Sequence, residues 1–169
     1  LGAERENLSL ATCNEIMYFR PTGQMAVGLL GEIFEEDIDD KVGAELPSGV
    51  PIVGMLDGLP LENHAALRNR IIVDDPDEFG NDYPASLRMH GTAMASMLVH
   101  GDLAAPEPSS ASRHVYVRPV MRTDAVFGMK ETYPENVIIF DLLHSVVMSM
   151  FVGVGADAPA APTLHVIHL

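Results

Sequence analysis

Val50-Pro-Ile-Val-Gly-Met-Leu-Asp57-Gly58 is the stretch that decides the fold. Residues 50–56 form an unbroken apolar run, the pattern of a strand covered on both faces in a parallel sheet, and the run stops abruptly at Asp57-Gly58. Downstream, Arg70-Ile-Ile-Val73 predicts a shorter strand, closed by the polar segment Asp74 to Asp82. His90 to Val99, rich in small and apolar residues, predicts a helix. Val115 to Val120 returns to strand, with Pro119 favouring a strand end or an edge position. Between Pro134 and Phe151, Ile139, Leu142, Leu143, Val146, Val147, Met150 and Phe151 recur at helical spacing. Asp141, His144, Ser145 and Ser149 take the other side, Pro134 suits the first turn and Gly153 the end. The loop Ala156 to Pro162 leads to a last strand, Leu164 to Leu169. Strands alternating with helices imply an α/β fold with a parallel sheet and right-handed crossovers.

Upstream of the run the signals are mixed. Met25 to Leu30 could be a strand, Glu35 to Asp40 is acidic, and Leu46-Pro-Ser-Gly49 is turn-rich. A soft boundary there gives an N-terminal extension or linker, 1–49, and a domain, 50–169. The 169 residues include 47% hydrophobic and 20% charged, enough to fill one core. Ten basic against 24 acidic residues leave a net charge of −14, a surface that repels phosphate backbones and anionic lipid. Nucleic acid and membranes are therefore not expected partners. The lone Cys13 gives no internal disulfide, and the Asn7-Leu8-Ser9 sequon stands without other signs of secretion. With neither a basic leader nor a membrane-length apolar run, a cytoplasmic location is expected. The absence of an initiator Met raises the expectation that the chain belongs to a longer one.

In open α/β sheets reactive groups collect at the carboxyl ends of strands. Asp57 stands at such an end; taken alone it is most simply a turn aspartate. His90 opens the predicted helix, followed by Gly91-Thr92 and the small residues Ala93, Ala95 and Ser96, which let a helix approach a sheet closely. A helix N-terminus disfavours a cation, whereas a carboxylate beside an imidazole favours one and fixes which ring nitrogen carries the proton. That combination is what a general base requires.

Together, Ile52-Val-Gly-Met-Leu-Asp57-Gly58 and His90-Gly-Thr-Ala-Met-Ala-Ser96 resemble the first two motifs of the subtilisin-like serine proteases, the subtilases. In that family an apolar strand ends in a catalytic Asp and a His-Gly-Thr-x-x-Ala segment opens a buried helix. The resemblance covers about residues 50–169. It implies the N-terminal half of a three-layer, parallel-sheet subtilisin-like domain, in the chain order Asp, His, Ser. Three departures stand out. Gly58 follows Asp57 where the family usually has Ser or Thr before Gly, and Ala93-Met94 replaces the usual His-Val. The third weighs most: no Gly-Thr-Ser-x-Ala segment occurs in the 169 residues, and no downstream oxyanion Asn is recognisable. Ser86, Ser96, Ser145 and Ser149 lie on no nucleophile elbow and read as surface or packing hydroxyls.

The resemblance therefore implies a fragment of a serine endopeptidase. Asp57 and His90 would be its catalytic residues, and the hydroxyl would come from beyond Leu169 or from another chain. The fragment alone is expected to be inactive. Its partners would be a peptide or protein substrate and the remaining half of the domain or a second chain, the latter also covering the apolar edge of the last strand. The alternative is a non-catalytic subtilase-like interaction module; a flavodoxin-like ligand domain ranks below both, having no Gly-rich phosphate loop after a strand. No cofactor is implied. Asp74, Asp75, Asp77, Glu78 and Asp82 could hold calcium, although a solvated acidic loop is the commoner outcome. The seven His (64, 90, 100, 114, 144, 165, 168) show no metal-ligand spacing.

Overall fold

A computed structural model describes residues 45–101, 110–124, 130–135 and 137–169. The expectations for Asn7, Cys13, Met25 to Leu30 and Glu35 to Asp40 lie outside them. The elements run β1 (Val53–Asp57), β2 (Ile71–Val73), α1 (Met89–His100), β3 (Val115–Pro119), β4 (Arg122–Asp124), β5 (Lys130–Thr132), α2 (Ile139–Phe151) and β6 (Val166–His168). Strands β2-β3-β1-β6 form one sheet in that order, every pairing parallel, while β4 and β5 form a separate antiparallel hairpin. Strands β2, β3 and β6 fall within their predicted runs and are shorter, β1 starts three residues into its run and continues through Asp57, and the β4–β5 hairpin has no counterpart among the sequence expectations. Pro119 ends an interior strand, where a missing amide does least harm.

Side chains alternate across the sheet, and two helices take the two faces. Met55, Val115 and Val117 pack with Leu67 and with Ala95 and Val99 of α1. Leu56 and Tyr116 pack with Val146 and Met150 of α2, joined by Val120, Tyr133 and Leu164. The result is helix, sheet, helix: an α/β fold in three layers. The expected apolar stripe of α2 faces the sheet, while Phe140 stands 82% exposed on its outer side. Pro134 does not lie in the first turn, since α2 begins five residues later at Ile139. Gly153, at φ +90°, closes its end.

The right-handed expectation needs correction. Crossing from β2 to β3 through α1, and from β3 to β6 through α2, the chain steps the same way along the sheet. The two helices nevertheless lie on opposite faces, so the two crossovers have opposite hands. The β1 to β2 connection steps back the other way on the α1 face, where Leu67 packs, and so shares the hand of the α2 crossover. By the strong right-handed preference, the exception is β2-α1-β3, the unit carrying His90. A doubly wound domain changes face where its strand order reverses. Here the face changes between β2-α1-β3 and β3-α2-β6 without a reversal, which disfavours the flavodoxin-like alternative.

The sheet ends on β6, which pairs only with β1 among the described residues. Val166 and Leu169 are exposed beside its outer edge.

Candidate active site

Strand alternation puts Asp57 on the same face as Met55, the face that α1 covers. His90 is the second residue of α1. Two local devices hold the helix start against the loop after β1. A side chain at Gly91 would put its Cβ 2.7 Å from the carbonyl carbon of Gly58 and 3.1 Å from that of Leu59, so only glycine allows this approach. Thr92 Oγ1 then donates to the Arg88 carbonyl at 2.5 Å and accepts the Leu61 N–H at 2.9 Å, tying helix to loop. His-Gly-Thr thus has a physical meaning here: the glycine admits the loop, the threonine locks it, and the histidine beside them is aimed at Asp57.

His90 Nε2 lies 3.2 Å from Asp57 Oδ2. The other carboxylate oxygen, Oδ1, accepts the Gly58 N–H at 2.6 Å. The Asp57 side chain is 7% exposed and that of His90 26%, so the pair has a buried acid and a ring open to one side. In neutral imidazole the nitrogen facing the carboxylate carries the proton, leaving Nδ1 as the acceptor. In the Ser-His-Asp template it is Nδ1 that meets the acid. The ring here meets it through the other nitrogen. Among the described residues no hydroxyl hydrogen-bonds to either ring nitrogen. Ser86 is exposed in a 3₁₀ turn, Ser96 lies further along α1, and Ser145 and Ser149 belong to α2 on the opposite face of the sheet.

Three side chains at this end of the sheet were not foreseen. Glu131 on β5 is 5% exposed, and its Oε1 is buried without a hydrogen-bond partner. Burial, and next the Asp57 charge, push its carboxyl up to about 7. The Tyr83 hydroxyl is likewise buried and unpartnered. Burial and then the Asp57 charge raise the Tyr133 hydroxyl as well. Only the short Lys130-Glu-Thr-Tyr133 stretch between Gly128 and Pro134 hints at this hairpin in the sequence.

The acidic segment has other partners. Asp74 accepts from Arg118 Nη1 at 3.1 Å and from the Tyr116 hydroxyl, and Asp77 accepts from Arg118 Nη2 at 3.0 Å. Asp75 accepts the Phe79 and Gly80 N–H groups. Among the described residues no three His, Cys, Asp or Glu side chains gather as a metal site. His100 is a buried structural histidine: Nε2 donates to the Ala66 carbonyl at 2.7 Å, Nδ1 accepts from the Ser110 hydroxyl at 2.8 Å, and burial lowers its proton affinity. No described helix is long and apolar enough to cross a membrane.

Comparison with protein-family models, curated proteins and solved structures finds no match to this chain.

Proposed function

We propose that the chain supplies the acid and base of a subtilisin-like serine endopeptidase, with the nucleophilic hydroxyl provided from outside these 169 residues. The observation that carries this reading is the Asp57–His90 contact of 3.2 Å at the carboxyl end of a parallel strand, built by Gly91 and Thr92. In the complete site His90 takes the proton from the incoming hydroxyl, whose oxygen attacks a peptide carbonyl. Asp57 orients the ring and stabilises its cationic form. The protonated ring then gives its proton to the leaving amine, and water hydrolyses the acyl-enzyme. In the present ring orientation Nδ1 is the free base nitrogen; the template orientation requires the ring to turn so that Nδ1 faces Asp57.

The test is labelling by a fluorophosphonate. The 169-residue chain alone stays unlabelled. A protein extended through the residues that follow Leu169 in its reading frame is labelled on serine, and labelling falls by several orders of magnitude in His90→Ala. An unlabelled extended protein, or labelling indifferent to His90→Ala, defeats the proposal.

The ring's Nε2 contact with Asp57 favours one second reading, a subtilase-like interaction module without hydrolysis. An extended chain that folds but contains no reactive serine supports it.

A further inference from the structure

Asp57 and His90 share their end of the sheet with a carboxyl that the proposed proton relay does not use. Glu131 reaches in from β5, opposite Thr123 of the hairpin, and comes to rest over the backbone of Gly58. A Cβ at residue 58 would lie 3.2 Å from Glu131 Cδ, would overlap Oε1, and would lie 2.8 Å from the Tyr83 hydroxyl oxygen. Both of those oxygens are buried without partners. The Gly58 N–H meanwhile donates to Asp57 Oδ1. Three oxygen-bearing side chains therefore converge on one glycine.

A buried carboxyl without a hydrogen-bond partner is costly when charged, and more so beside a second carboxylate. We propose that Glu131 is a positioning residue of the Asp57–His90 site: a proton-holding carboxyl, seated in the space that Gly58 leaves open, whose charge state sets the field around Asp57 and through it the imidazole. The groups facing it are Asp57 from the end of β1 and Tyr83 from the loop that leads to α1, while Tyr133, two residues on from Glu131, also feels the Asp57 charge. His90 of α1 lies across Asp57, and Arg88 sits over the Tyr83 ring, 5.6 Å from its centre. Of these, Asp57 is the charge that acts on Glu131. When Glu131 holds its proton, Asp57 is the lone anion beside the ring. When the proton leaves, two anions share the pocket and the ring feels both.

This inference rests on the Asp57–His90 pairing and not on peptide hydrolysis, so its test uses the 169-residue chain and no activity. The Glu131 carboxyl carbon and the His90 ring nitrogens are followed by NMR across pH 4–9. In the wild-type chain Glu131 titrates at about 7, and the His90 ring resonances show, beside the ring's own protonation step, an inflection that tracks the Glu131 carboxyl carbon. Asp57→Asn increases the acid dissociation constant of Glu131 at least several-fold. Glu131→Gln, which keeps shape and removes the charge, abolishes the inflection while the amide spectrum stays native. Gly58→Ala, which leaves Glu131 in the sequence, displaces its carboxyl and also removes the inflection. Ordinary glutamate titration in the wild type overturns the proposal. So does indifference of Glu131 to Asp57→Asn, or an inflection that survives Glu131→Gln or Gly58→Ala. Failure of fluorophosphonate labelling in the extended protein leaves these results untouched, and the converse also holds.

Discussion

Replacing Gly91 by alanine separates two opposing effects. In an ordinary helix Gly→Ala gains up to about 1 kcal/mol of propensity. Here the added carbon would lie 2.7 Å from the Gly58 carbonyl carbon, while carbon–carbon contacts settle at about 3.5–4.0 Å. The start of α1 must therefore retreat by about 1 Å, and the obstacle is backbone, which cannot swing aside as a side chain does. Overpacking of this kind costs about 1–3 kcal/mol, and a rigid obstacle puts Gly91→Ala at the upper end. Clash outweighs propensity by about 2 kcal/mol, a fall in Tm of roughly 4–8 °C for a chain of this length. The same retreat stretches the 3.2 Å Asp57–His90 contact to about 4 Å, beyond hydrogen-bonding distance. Calorimetry on Gly91→Ala beside Met97→Ala, an exposed position on the same helix, gives the comparison. A Tm for Gly91→Ala equal to or above wild type refutes the close approach of helix and loop on which the site depends.

Other consequences are read the same way. Thr92→Val removes the acceptor for the Leu61 N–H and costs about 1–3 kcal/mol in chemical denaturation, more than Thr163→Val near the chain's end, whose hydroxyl donates to the Pro51 carbonyl and leaves only an acceptor short of one bond. Met150→Ala, at a fully buried position between α2 and the sheet, costs about 2–5 kcal/mol, whereas Met148→Ala on the 40% exposed side of the helix stays within about 0.5 kcal/mol. Because Glu131 in the fold is raised to about 7, the folded state binds more protons than the unfolded one from the ordinary glutamate range up to that pH. Stability therefore falls as pH rises through that window, by about 3–4 kcal/mol at most, and Glu131→Gln flattens the decline. A decline of unchanged depth in the variant contradicts the assignment.

The sheet and its helices are legible in the sequence because their signals are local. An apolar run cut off at Asp57, small residues after His90, and the 3.6-residue stripe from Ile139 to Phe151 each report an element without knowledge of its neighbours. Strand ends are less legible: the apolar run begins at Val50, yet β1 begins at Val53, because pairing with β3 and β6 sets the ladder. Crossover hand is a global property, and the usual preference misleads at α1. Asp57 and His90 stand out in the sequence through a motif resemblance, and the structure brings their side chains to 3.2 Å. Glu131 and Tyr133 reach the site from a hairpin some forty positions after His90, Tyr83 from the loop before α1, and nothing in their immediate neighbours marks them as buried. The acidic run from Asp74 to Asp82 reads as solvated or metal-binding until Arg118, some forty positions away, is seen to take Asp74 and Asp77.

Asp57 holds the His90 imidazole by one nitrogen, Nε2, and leaves the other bare. Long-range ¹H–¹⁵N correlation of the ring at a pH where it is neutral reads this directly. The expected result is a single tautomer with the proton on Nε2 and a bare Nδ1, lost to a mixture in Asp57→Ala; a ring already averaging between tautomers in the wild-type chain, or one unaffected by Asp57→Ala, overturns this pairing.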